Sequence, residues 1–217
     1  MQRTRELAAG LAWAALLLGT VAGCGGDGSG PGGSVAGTAA LVFAGVRNGS
    51  YSVTGDPAAD GSGGLVRDAW ATATFPPLQG DTAGLAQVVV HRPTSPTTAD
   101  VVRIDLMPGF ASGSETIIAC GNPANCSAVY LAFDDNPDAA NYYDVAEHYY
   151  LAAGTITLTA RDSTRIVGTF SGTAVGTSYG VAQNDTLVIT AGTFSTPPAR
   201  SSTTGGVAAI ANRFSGP

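Results

Sequence analysis

From Val35 onward the chain is built of ten short runs of apolar and polar residues, each closed by Gly, Pro, Asn or Asp. They are Thr38–Ala44, Gly49–Thr54, Val66–Phe75, Leu85–His91, Val101–Met107, Glu115–Cys120, Ser127–Phe133, Tyr149–Ala160, Thr164–Val175 and Thr186–Phe194. Successive side chains of a strand point to opposite faces, so alternation with period two predicts half-buried strands, and the short links between them predict antiparallel neighbours. In the fifth run Val102, Ile104 and Leu106 are expected to face a core, and Arg103 and Asp105 water. In the seventh, Val129, Leu131 and Phe133 oppose Ala128, Tyr130 and Ala132. No helical stripe competes with this pattern here. The expected fold is all-β, an antiparallel β-sandwich or flattened barrel of about ten short strands.

The best-defined hairpin runs from Thr155–Ala160 through Arg161-Asp162-Ser163 to Arg165–Phe170. The tetrapeptide Gly-Thr-Phe-Ser occurs at 168–171 and again at 192–195, with Gly49-Ser-Tyr-Ser52 as a weaker echo. The likeness does not extend over a whole unit, so it is not a repeat. Its glycines read as bulges or as room for a neighbouring aromatic ring.

Composition agrees with strands and turns, because Thr, Ser, Gly and Val are abundant while Leu and Glu are scarce. The chain has ten arginines, no lysine and sixteen acidic residues, a net charge of −6. Scattered single arginines on an acidic chain exclude nucleic acid as a partner, since phosphate binding needs a basic stripe.

Ahead of the strands, Arg3 and Arg5 precede the apolar run Leu7–Ala22, which ends in Val21-Ala22-Gly23-Cys24. A charged region, an apolar region and small residues at a cut site follow one another as in an export signal. The apolar run contains Gly10 and Gly19 and falls short of the roughly 20 residues a membrane-spanning helix needs. Val21-Ala22-Gly23-Cys24 resembles the lipobox of bacterial lipoproteins. That resemblance implies cleavage after Gly23, a diacylglycerol on the Cys24 thiol and a lipid-anchored place in the cell envelope. Gly25, where an aspartate would signal retention, implies the outer membrane, on its periplasmic face or at the cell surface. The chain then divides into a signal peptide at 1–23, a Gly-rich tether at 24–34, a β-domain at 35–196 and a tail at 197–217, disordered or a last strand. The part around the two Gly-Thr-Phe-Ser pieces is similar in texture to small β-rich envelope lipoproteins, which implies no activity. In the oxidising compartment that the anchor implies, Cys120 and Cys126 are expected to form a disulfide across the turn Gly121–Asn125.

Candidate chemistry concentrates between Asp134 and His148. Asp134, Asn136 and Asp138 have the alternate spacing of the first ligands of a calcium loop, and Asp144 lies close enough to join them. Ala139 and Val145 stand where such a loop requires glycine and glutamate, so the alternative is an acidic surface loop. Five of the seven tyrosines, at 130, 142, 143, 149 and 150, surround this stretch. Tyr142 and Tyr143 could offer a flat platform to a sugar ring, or simply cap the end of a β-domain. No catalytic residue is assigned. Gly176-Thr-Ser-Tyr-Gly180 has the G-x-S-x-G form but lies in an expected turn, without the helix that a nucleophile elbow needs. His91 and His148 belong to no zinc pattern. The first expectation is a non-enzymatic binding or structural protein of the envelope, whose partner is a glycan or an envelope protein. A calcium-stabilised carbohydrate-binding module is the alternative, and a hydrolase of an envelope polymer a remote one.

Overall fold

The computed structural model describes residues 36–57, 68–74, 86–110, 112–118, 126–136, 147–177, 184–199 and 207. It is all-β. Ten strands follow in order: β1 (Gly37–Gly45), β2 (Gly49–Gly55), β3 (Trp70–Thr74), β4 (Ala86–Pro93), β5 (Ala99–Leu106), β6 (Gly113–Ile118), β7 (Ala128–Asp135), β8 (Glu147–Arg161), β9 (Ile166–Gly176) and β10 (Thr186–Thr196). Each of the ten expected runs contains one of these strands, with the third run strand only over Trp70–Thr74 of its described residues. They form one antiparallel sheet in the order β2-β1-β10-β9-β8-β7-β5-β4-β3, with β6 also on β8. The fifteen-residue β8 holds two partners in succession along one edge. Residues 147–150 of β8 pair with β7, and residues 153–158 pair with β6.

The sheet curls until its ends nearly meet, giving a flattened barrel. Beyond β10 the chain runs beside β3, where Ala73 N–H donates to Pro197 O (2.9 Å) and Ala199 N–H donates to Ala73 O (2.7 Å). Across the other side of that seam, Gly37 and Gly55 are paired in register on β1 and β2. A Cβ on Gly37 would lie 1.7 Å from Ala71 O, and one on Gly55 2.1 Å from Ala69 O. Both glycines are therefore required for β3 to lie against the β1–β2 pair.

Alternation fills the interior. Leu41, Phe43, Val53, Val88, Ile104, Leu106, Leu131, Phe133, Leu151, Ile156, Leu187 and Phe194 form one continuous core. Each such side chain, fully buried, contributes about 1.5–3 kcal/mol before the ordering entropy is subtracted. The repeated tetrapeptide has a direct role here. Gly168 pairs with Phe194 and Gly192 with Phe170, so the two pieces lie antiparallel on β9 and β10, each glycine opposite the other's phenylalanine. A Cβ on Gly192 would come within 2.4 Å of the Phe170 ring, and one on Gly168 within 2.6 Å of the Phe194 ring. The echo at Gly49 repeats the device against Phe43, its register partner. Of the two readings of these glycines, bulges or room for a ring, the second is the one these contacts bear out.

One expectation is corrected. Arg103 and Asp105 do not face water, for every residue of β5 is buried. The second cover lies over the outer face of β3, β4, β5 and β7, where Trp70, Val89, Ala99, Val101, Ala132 and Val207 pack in a cluster of their own. Strands covered on both faces lose the simple rule that polar means exposed. Arg103 solves the problem by pairing with its own-strand neighbour: Nε donates to Asp105 Oδ1 at 2.7 Å and the terminal nitrogen to Oδ2, while the guanidinium lies 5.3 Å from the Tyr130 ring centroid. Of the 197–217 tail, residues 197–199 extend the barrel seam and Val207 is buried in this outer cluster.

His91 belongs to the same covered face. Its ring stacks on Trp70 at 5.1 Å and 12°, and its Nδ1 lies 3.0 Å from Asp68 O. Burial pushes its pKa down, against the opposing pull of the Asp68 carbonyl and the Asp135 and Asp68 charges. A histidine kept neutral in the fold must be charged on unfolding in acid, so the stability it supports is complete above the unfolded pKa of about 6.5 and is lost as pH falls through the folded value. The melting temperature is accordingly expected to drop between pH 7.5 and 5, and less so in His91→Gln. Equal pH profiles for the two proteins would show that His91 does not couple folding to protonation.

Candidate functional site

The acidic stretch singled out in the sequence leaves the barrel at the end of β7 and returns at the start of β8. Its base is built by three other segments. From the β1–β2 turn, Arg47 reaches Asp134 Oδ2 at 3.0 Å and Glu147 Oε2 at 3.3 Å. From the turn after β4, Thr94 Oγ1 donates to Asp134 Oδ1 at 3.0 Å. From β5, Asp100 Oδ1 accepts the Asp134 backbone N–H at 3.1 Å, and its other oxygen pairs with Arg92. The two ends of the loop are thus held by one guanidinium.

Local backbone geometry explains why Asp134 stands where it does. The β5–β7 register slips between Ala99 and Val101, leaving an extra residue on β7. Asp134 takes up the slip with φ = 54°, the left-handed region that aspartate tolerates better than most residues. The bulge turns its carboxylate out toward Arg47. Hydrogen bonding from Arg47, with Thr94 assisting, holds the Asp134 carboxyl below the usual carboxylate range. About half of the Asp134 side chain is exposed, so this ion pair contributes at most about 1 kcal/mol. Its effect is to set position more than stability.

Aromatic rings floor the base. Arg47 lies 4.9 Å from the Phe133 ring centroid and Arg92 4.4 Å from that of Tyr51. Phe133 packs on Phe43 at 5.1 Å and edge-on to Tyr149 at 5.9 Å. Burial, with Glu147 and Asp185 nearby, pushes the Tyr149 phenol up to about 12, so it stays protonated. The phenol lies 3.5 Å from Glu147 Oε2.

Of the expected site residues, Asp134 is at this base and Asn136 is half-buried just after β7. Asp138, Tyr142, Tyr143 and Asp144 lie outside the described residues, as do Cys24 and Cys120. Asp134 accepts from Arg47 and Thr94, and among the described residues no group of three metal-binding acids, histidines or cysteines comes together. His148 is buried on β8 opposite Ala132. Gly176 ends β9 and Thr177 N–H donates to His148 O at 2.9 Å, while Ser178, Tyr179 and Gly180 of the G-x-S-x-G stretch lie outside the described residues. Cys126 is half-buried next to Ser127, whose N–H donates to Glu115 Oε1 at 2.9 Å and whose hydroxyl donates to Oε2. Glu115 thereby ties β6 to the start of β7.

Sequence reasoning missed Arg47, on the β1–β2 turn, and Arg92, Thr94 and Asp100, on the β4–β5 hairpin, each far along the chain from Asp134. Arginine beside an Asn-Gly turn, or aspartate opening a strand, carries no local sign of such a partner. At the base Arg47 lies between Glu147 and Asp134, and Arg92 pairs with Asp100, which also accepts the Asp134 backbone N–H, so these groups can orient the chain ends they border. No protein-family model matches the chain, and no curated protein or solved structure matches it significantly.

Proposed function

We propose that the chain is a lipid-anchored protein of the cell envelope, tethered through Cys24 to the outer membrane, and that it acts by binding or scaffolding and not by catalysis. The observation that carries the display role is the Arg47 grip on Asp134 and Glu147, which ties the end of β7 to the start of β8, the two strands that residues 136–146 connect. Function placed on a loop held by a stable scaffold is the common arrangement of binding proteins. The lipobox-like Val21-Ala22-Gly23-Cys24 and the glycine-rich segment after it support the anchor. The tether, at about 5–6 Å times the square root of its length, lets the domain stand roughly 17 Å from the lipid. The Cys120–Cys126 disulfide fits the same compartment and would close the β6–β7 link that Glu115 and Ser127 already join.

Metabolic labelling with a fatty acid in a bacterial host tests the anchor. The wild-type protein should carry label and sediment with membranes, and Cys24→Ala should lose the label. A wild-type protein free of label would overturn the anchoring. Exchanging 137–146 for a Gly-Ser linker should leave the melting temperature unchanged and remove envelope crosslinks, whereas unaltered crosslinks would overturn the display role.

A further inference from the structure

On the opposite half of the barrel from the covered face, the outer surface carries hydroxyls in register. One row crosses six strands: Ser52 on β2 pairs with Ala40 on β1, Ala40 with Thr193 on β10, Thr193 with Thr169 on β9, Thr169 with Thr157 on β8, and Thr157 with Ser114 on β6. All six are exposed or half-exposed. Thr157 and Ser114 hydroxyls lie 2.8 Å apart. None of the six carries a charge.

The row borders a groove. The β9–β10 register slips between Ile189 and Gly192, so Thr190 and Ala191 stand out from the sheet beside Ser171. Between them and Thr155, Thr157 and Thr169 lies an open concavity of about 250 Å³, with room for a sugar ring. Bulges bend strands locally and make such creases. Across the row, hydroxyls recur at the strand spacing of about 4.8 Å, close to the length of one pyranose unit, so an extended chain of sugars crossing the strands meets one side chain per unit.

From the hydroxyl lining, the absence of charge and the matching repeat we infer that this groove and row bind a neutral glycan chain laid across β10, β9 and β8. A polymer of anionic sugars is disfavoured by the net charge of −6. This site is built on β10, β9 and β8 without the Asp134, Arg47 and Glu147 cluster, and it stands whether or not the display role does.

Affinity electrophoresis of the detergent-solubilised protein through gels containing dextran, xylan, mannan or alginate tests the inference. Retardation by at least one of the three neutral polymers, and none by alginate, is expected. In the Thr157→Val/Thr169→Val/Thr193→Val variant three hydroxyls are lost while β-branched shape is kept, and binding should weaken about tenfold or more. Thr169→Glu, a single exposed change, provides the same test should the triple variant fold poorly. The Gly-Ser loop exchange should bind as the wild type does. The inference is overturned by no retardation in any neutral gel, by retardation in alginate, or by equal retardation of wild type and both variants. Concentration-dependent self-association abolished by the same threonine changes, without glycan retention, would also overturn it and assign the face to a second copy.

Discussion

Among the described glycines, Gly37→Ala is expected to be the most damaging single-methyl change, costing about 3 kcal/mol or more. The added Cβ would lie 1.7 Å from Ala71 O, a backbone atom that cannot swing aside. Relief requires β3 to part from the β1–β2 pair, and with it the seam that Ala73 makes with Pro197 and Ala199. Gly109→Ala is the control. Its Cβ would meet nothing within 4 Å, and only φ = +81° opposes it, a backbone penalty of about 1–2 kcal/mol. Urea melts of the two variants decide the matter: comparable midpoints would mean that the close contact at Gly37 does not govern closure of the barrel.

Asp105→Ala should cost about 3–5 kcal/mol, because it strips a buried guanidinium of its counter-charge. Asp105 is fully buried and Arg103 nearly so, with two hydrogen bonds between them. The converse test is more telling. Replacing both, as Arg103→Met with Asp105→Leu, removes the charges together and should recover most of the loss, since an apolar pair of similar volume serves a covered surface as well or better. If the double variant melts as low as Asp105→Ala, the ion pair contributes more than neutrality, and Tyr130 beside Arg103 becomes the residue to vary next.

These two predictions bracket what could be read from the chain. Strand positions were legible because alternation is a local signal, whereas the glycines of the repeated tetrapeptide allowed two readings, a bulge or room for a ring, and only the register of β9 on β10 decides for the ring. Arg103 and Asp105 were misplaced because their burial depends on what covers the outside of β5, which no pattern within β5 encodes. The loop base was half legible. Asp134 stood out as the start of an acidic run, but Arg47, eighty-seven residues away, is brought to it by the β1–β10 and β8–β7 pairings and not by any motif. The hydroxyl row was invisible for the same reason: each Thr or Ser looks like an ordinary solvent-facing strand residue until register aligns five of them.

The pairing of β1 with β10 has a consequence for how the molecule comes into being. Thr38 lies opposite Ser195, so the first strand made at the ribosome finds its main partner only when the last one emerges. Until then β1 has only the β2 hairpin, and two strands alone are marginal in water. Contacts this distant along the chain slow folding and leave strand edges open to other chains meanwhile. Joining residue 196 to residue 37 by a short linker and opening the chain in the 162–165 turn would make the β1–β10 pair local. Such a permutant should refold faster than the natural order, and it should melt lower because it lacks the seam that Pro197 and Ala199 make with Ala73 and the buried Val207.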